Sequence, residues 1–432
     1  MGGAMKSRQP FSERVSGHRL QGGARLAVLA NPHAPTATIA GTLLAGPAYA
    51  SDGRFAVPGM VAAMLDRGTT DHGRMELARE LEDHGLQLIV RASASTPTIV
   101  SFSAQGLAEE LPRLVRLLVE VLRRPSFPTE ELDKLREQVL GGLAREREET
   151  SARAFAALMR GLFPAGHPLH RRPIEAREKE LRSLTCDELA DFHTAAYGPA
   201  TMALAVVGDV ESENVASLFE RELAGWDGAE KAAFEMDDES APGPPEERIQ
   251  IADRPNIDVF LGHRGRLLRG DADYPASVLA NSCLGQSTLT SRLGKAVRDG
   301  AGLTYGIYSR FFGTLQVAGP WAASLGVSAK NLDRAVELSR EVITNFVEDG
   351  PTEDELADER LALAGSYRVG LATNSGVARE LVTALTADES IGRLDSFPEE
   401  LLAVERDQVM AAIHTHLHPE QIIVTAAGDF GD

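Results

Sequence analysis

The sequence predicts an α+β protein built as two homologous halves in tandem, and three observations carry that reading. Landmarks of the first half return in the second, in the same order and at a nearly constant distance. An acidic stretch rich in Pro and Gly, Glu235 to Glu247, separates them. Each half reads as apolar strands, then helices, then a closing strand, the pattern of sheets layered against helices.

The landmarks are specific. Pro128-Thr-Glu-Glu-Leu132 returns as Pro351-Thr-Glu-Asp-Glu-Leu356, and His193-Thr194 returns as His414-Thr415. Pro199, an apolar strand and Gly208-Asp209 return as Pro419, a strand and Gly428-Asp429. The offset is nearly the same for all three, and agreement of this kind marks an internal duplication. The expected units are residues 14–235, a linker over 236–247, and residues 248–432.

Within the first half, Leu26 to Ala30 and Thr36 to Leu44 are apolar strands around the turn-like Asn31-Pro32-His33-Ala34-Pro35. Pro58 to Leu65 is a helix stopped by Gly68, and Asp71 to His84 is a charged helix stopped by Gly85. Leu86 to Ala104 alternates as a strand pair. Leu107 to Arg123 has helical spacing, Pro128 opens a long helix through Glu149, and Ala203 to Val207 is the closing strand.

Composition narrows the function. With 432 residues the chain exceeds one core, and 43% hydrophobic with 25% charged residues is a soluble globular profile. Acidic residues outnumber basic ones 63 to 44, a formal charge of −19, which repels nucleic-acid backbones and attracts basic peptides. No apolar run nears the ~18 residues of a membrane span, so no membrane partner is expected. Met1 to Val15 is polar, without the apolar core of a signal peptide. Cys186 and Cys283 make no disulfide framework, so a reducing, cytoplasmic location is expected.

The stretch Val57-Pro-Gly-Met-Val-Ala-Ala-Met-Leu-Asp-Arg-Gly-Thr69 resembles the insulinase-like (pitrilysin-type, M16) metallopeptidases. Their inverted motif His-x-x-Glu-His lies just before a helix end and a Gly-Thr pair. Anchored on Gly68-Thr69, the His positions fall on Gly59 and Ala63 and the Glu on Ala62; the family's further Glu ligand falls near Gly141 and Gly142. Zinc needs nitrogen, sulfur or carboxylate donors, and Gly and Ala have none. The resemblance therefore implies no metal in this chain. It spans about Arg14 to Asp429 and includes Gly166-His167-Pro168.

In the second half, Ser291-Arg-Leu293 and Val297-Arg-Asp-Gly-Ala-Gly-Leu-Thr-Tyr-Gly306 resemble the family's Ser-Arg-Leu…Arg…Gly-Leu-x-Tyr element. The resemblance implies that Arg298 and Tyr305, seven residues apart, reach a zinc site and stabilise the oxyanion of peptide hydrolysis. Gly300 and Gly302 let the chain leave a helix at Arg298 and enter a strand at Tyr305. Taken alone, Arg298 could cap that helix and Tyr305 could pack in the sheet.

The resemblance as a whole implies the zinc-free subunit of a heterodimeric peptidase, inactive alone. Its partner would be a homologous subunit bearing His-x-x-Glu-His and zinc, and the pair would enclose an unfolded peptide bound as an added strand. The alternatives are an inactive scaffold or peptide-binding protein, and a homodimeric enzyme with its own metal. A metal could sit on His72, Glu76, Glu80 and His84, which recur every fourth residue along a helix face, although a solvated face explains them as well. His414, His416 and His418 read as a solvated turn, and His167 and His170, beside Arg171-Arg172, as a surface loop. No phosphate loop and no nucleophile motif is present.

Overall fold

The computed structural model describes residues 9–50, 53–92, 96–229 and 243–431. Its eleven strands among the described residues are β1 Val15–Arg19, β2 Arg25–Ala30, β3 Thr36–Leu43, β4 Gln87–Ala92, β5 Val100–Leu107, β6 Met202–Gly208, β7 Glu246–Gln250, β8 Asn256–His263, β9 Thr304–Phe311, β10 Trp321–Ser328 and β11 Ile423–Gly428. They form two sheets, ordered β1-β2-β6-β3-β5-β4 and β7-β11-β8-β10-β9.

Apart from β1, the two orders are the same. Each sheet has one parallel pair, β2 with β6 and β7 with β11, and is otherwise antiparallel. Matching strands start at 25 and 246, 36 and 256, 100 and 321, and 202 and 423. The repeated Gly-Asp has a steric reason. A Cβ on Gly208 would lie 2.0 Å from Thr36 O, and one on Gly428 would lie 2.5 Å from Ile257 Cδ1.

Strand alternation sends residues to two different cores. Leu26 and Val28 of β2 and Leu204 and Val206 of β6 join a core completed by Val61, Leu114, Leu132 and Phe219 from first-half helices. Their neighbours Ala27, Leu29, Ala205 and Val207 face the other way, onto Val377, Ala378 and Leu381. Those three lie on the Asn374–Thr386 helix of the second half. In return the Thr150–Leu162 helix of the first half covers β8 and β11, packing Ala154, Leu158 and Leu162 on Phe260, Ala322 and Ile423. Each half thus covers one face of the other's sheet, which is why every residue of β6 and β11 is buried.

Several boundaries differ from the sequence reading: Leu107, expected to open a helix, closes β5, and that helix is Leu111–Arg123. The charged helix is Arg74–Asp83, because the Thr69 hydroxyl accepts from the Asp71 and His72 amides and holds that stretch in a turn. The long helix ends at Glu146, and the crossing helix starts afresh at Thr150. Most of the expected linker lies outside the described residues, but Glu246 and Glu247 open β7 and pair with Val424 and Thr425.

Candidate functional site

Tyr305 is on β9, the free edge of the second sheet. Its neighbours Ile307 and Ser309 point inward and are buried, so strict alternation would bury Tyr305 as well. It is instead 98% exposed. The cause is a break in register: Ile307 pairs with Leu325 and Thr304 with Val327, leaving Tyr305 and Gly306 opposite Gly326. Such a β-bulge re-aims a side chain. The Thr304 hydroxyl clasps it, 2.8 Å from Gly306 O and 2.7 Å from Gly326 O.

Arg298 lies in the π-helical segment Gly294–Gly300, which packs against β9. Gly302, at φ +61°, turns the chain out of that segment and donates to Arg298 O at 3.0 Å. The Arg298 side chain is 32% exposed, and its Nη1 donates to the half-exposed Asp299 at 2.7 Å. An exposed ion pair of this kind is weak, so the guanidinium is available to another anion. Both side chains open to solvent, and the cleft beside β9 is lined by Tyr308.

The helix expected to correspond to the family's metal motif is Ala56–Met64. A cleft of about 260 Å³ opens against it, lined by Ala56, Gly59, Met60 and Ala63, and by Val139 and Leu143 of the Thr129–Glu146 helix. Ala62 turns into the core instead. Helical spacing puts Gly142 on the flank of the Val139–Leu143 stripe and Gly141 on the far side. A Cβ added at Gly59 or Gly141 would meet nothing within 4 Å, so close packing does not require glycine at either position.

The donors around this cleft do not fit zinc. Among the described residues its one imidazole is His170, whose Nδ1 donates to Phe163 O at 2.8 Å. The remaining polar wall is Arg171, Arg172 and Arg177, and cations repel a dication. Among the described residues, no group of three or more His, Cys, Asp or Glu side chains is placed to hold a metal ion. Arg172 is paired with Glu180 and stacked over Phe55, and Arg177 is paired with Glu146 at 2.6 Å. Arg171 makes no hydrogen bond or ion pair among the described residues. Burial first, then the Arg177 charge, lowers its pKa, while Glu146 acts in the opposite sense.

The duplication gives this cleft a counterpart. In the second half, Tyr274, Val278 and Asn281 of the Tyr274–Asn281 helix line a cleft of about 530 Å³. They stand at one constant offset from Ala56, Met60 and Ala63, their equivalents in the first half. A third cleft of about 270 Å³ links the two, sharing Arg171 with the first and Arg310, Phe311 and Phe312 with the second. Sequence reasoning missed this groove. The doublet Arg171-Arg172 was its only local trace.

The rival clusters are committed elsewhere. His72 lies outside the helix, with Nδ1 2.7 Å from the buried Glu120. Glu76 caps the Gly73 amide, Glu80 pairs with Arg113, and His84 faces Glu110. His416 bonds Asp273 at 2.8 Å, His414 donates to Val347 O, and the His418 amide donates to His263. His167, expected on a surface loop, is buried, stacked on Phe163 at 4.5 Å and accepting from the Leu169 amide. Burial pushes the Cys283 thiol up to about 12, so it is no nucleophile at neutral pH.

Two tandem α+β units of one topology, each covering a face of the other's sheet, define the class of this protein as a duplicated two-unit α+β fold. Residues 25–169 match the family model for Insulinase (Peptidase family M16), and residues 183–363 match that for the Peptidase M16 inactive domain. The chain belongs to peptidase family M16. It is 23% identical over 397 residues to the Uncharacterized zinc protease YmxG of Bacillus subtilis, covering 91% of this chain and 94% of that one. It is 23% identical over 310 residues to the Non-peptidase homolog YmxG of Helicobacter pylori, covering 71% and 69%. The fold matches a crystal structure of a peptidase M16 inactive domain from Pseudomonas fluorescens with TM-score 0.88 and 24% identity, covering 96% and 98%.

Proposed function

We propose that this chain is the zinc-free subunit of a two-chain M16 peptidase in the cytoplasm. Its partner is a homologous subunit carrying His-x-x-Glu-His and zinc, and together the two enclose an unfolded peptide. Arg298 and Tyr305 serve the partner's zinc site, where a phenol and a guanidinium stabilise the negative charge that develops on the peptide carbonyl. The observation that carries this reading is the bulge at Tyr305. A tyrosine that alternation would bury is turned almost fully into solvent on a free sheet edge, at a cost in burial that gives the isolated subunit nothing.

The test is co-expression with an M16 subunit that carries the intact motif. The two chains are expected to co-elute as one complex that cleaves an unfolded fluorogenic peptide, with neither chain active alone. A complex whose turnover is the same without this chain would overturn the reading.

A second reading, an inactive M16 scaffold or peptide-binding protein, is favoured by the loss of every donor at the metal helix and by the non-peptidase name of the Helicobacter pylori relative. It expects peptide binding without turnover in any pairing.

A further inference from the structure

We propose that the cleft at the degenerate metal helix is a carboxylate pocket, in which Arg171 holds one carboxylate of a bound peptide. This rests on the reading, shared by both functions above, that the chain binds peptides. Among the described residues the lining of the cleft contains no Asp or Glu, and two of its three arginines are already matched by Glu180 and Glu146. Arg171 has no such partner among the described residues, yet it is partly buried and its charge is disfavoured there. A guanidinium stays charged in proteins, and a charge withdrawn from water is tolerated when it is paired. No carboxylate among the described residues pairs with it, so the guanidinium is open to an anion brought by a ligand.

The surroundings select a carboxylate carried on a peptide. One free guanidinium matches one monoanion through two parallel N–H···O bonds. Gly59, Met60, Ala63 and Val139 form an apolar floor that suits the atoms bearing the charge better than a fully hydrated dianion. Arg171 also lines the linking cleft, so a peptide seated by its carboxylate has an exit past Phe311 and Phe312 toward β9. The net charge of −19 repels polyacidic peptides at a distance, so the pocket selects one carboxylate and not a run of them. Gly59 and Ala63 leave room in the cleft, and its arginine wall favours an anion.

The carboxylate has two sources, the C-terminus of a peptide or an internal Glu, and the test separates them. Three ten-residue peptides of Ala, Ser and Leu carry a dansyl group at the N-terminus. One ends in a free carboxylate, one in an amide, and one in an amide with a central Glu. Their binding to the full chain is followed by fluorescence anisotropy, with inorganic phosphate as a competitor control. At least one carboxylate peptide is expected to bind about ten- to a hundredfold tighter than the neutral amide, the range for a hydrogen-bonded charge. Arg171→Gln should abolish that preference, with an unchanged thermal midpoint showing that the variant is folded. Arg171→Lys should restore part of it. Equal binding of all three peptides, or a preference that survives Arg171→Gln, overturns the carboxylate pocket and leaves peptide binding standing. Failure of all three to bind removes both.

Discussion

Tyr305 and Ile307 stand two residues apart on one strand, yet Ile307 is completely buried and Tyr305 is 98% exposed. The extra residue opposite Gly326 separates their fates, and the Thr304 hydroxyl holds the bulge in place. A bulge is one of the devices that blunt a sheet edge, and here it also turns the Tyr305 ring into solvent.

If Tyr305 donates to a developing oxyanion, Tyr305→Phe in the assembled pair should lower kcat by about 10²–10³, the loss expected for one such donor. Peptide binding and assembly should barely change, because the hydrogen bond strengthens mainly in the transition state. Wild-type turnover in the variant pair would make Tyr305 a docking residue only.

The donor set at the metal helix leads to a second expectation. Protein exposed to excess zinc and then desalted should retain far less than one zinc per chain by elemental analysis, and a chelator should leave its thermal midpoint unchanged. Gly59, Ala63 and Gly142 offer no side-chain lone pairs, and Arg171, Arg172 and Arg177 oppose a dication. One tightly held zinc per chain would require a site elsewhere.

Much of this architecture is legible in the sequence, because strands such as Thr36–Leu43 and the internal repeat are local or periodic signals. The parts that escape it depend on distant contacts. Nothing local in Thr150–Leu162 says that Leu158 will pack on the other half's sheet. The burial of His167 comes from stacking on Phe163 across a turn. Alternation at Ile307 and Ser309 gives the wrong face for Tyr305, since a bulge is set by pairing across strands. Gly59 and Ala63, singled out by their spacing to Gly68-Thr69, line one cleft, but Arg171 reaches it from a separate loop whose path the sequence does not reveal.

The exchanged helices couple the halves. Leu158 is fully buried against the second sheet, and the Thr425 hydroxyl donates to Ala154 O at 2.8 Å across the same junction. Leu158→Ala should cost about 2–5 kcal/mol. Amide hydrogen exchange should rise in β8 and β11 of the other half as well as around the mutation. A rise confined to residues 9–229 would show that the halves unfold independently.

His263 makes acid stability a test of the second core. Its ring is completely buried and stacked on Trp321 at 5.5 Å. Nδ1 donates to Arg264 O at 2.9 Å, so Nε2 is left as the acceptor for the His418 amide at 3.3 Å. Protonating Nε2 would break that contact and place a charge in the core. Burial accordingly depresses its pKa to about 4, assisted by His418 and His416 and opposed by the Arg264 carbonyl and Glu420. The unfolded chain, with its ordinary value near 6.5, binds the proton first. Stability from the neutral ring is therefore intact above about pH 6.5, declines as the pH falls toward 4, and is lost below that, a change of about 3 kcal/mol. His193, also depressed chiefly by burial, acts in the same direction. Denaturant titrations at pH 7.5, 6 and 5 should show this decline, and His263→Gln should flatten it while lowering stability at neutral pH. A variant with an undiminished slope would mean that other groups carry the acid sensitivity.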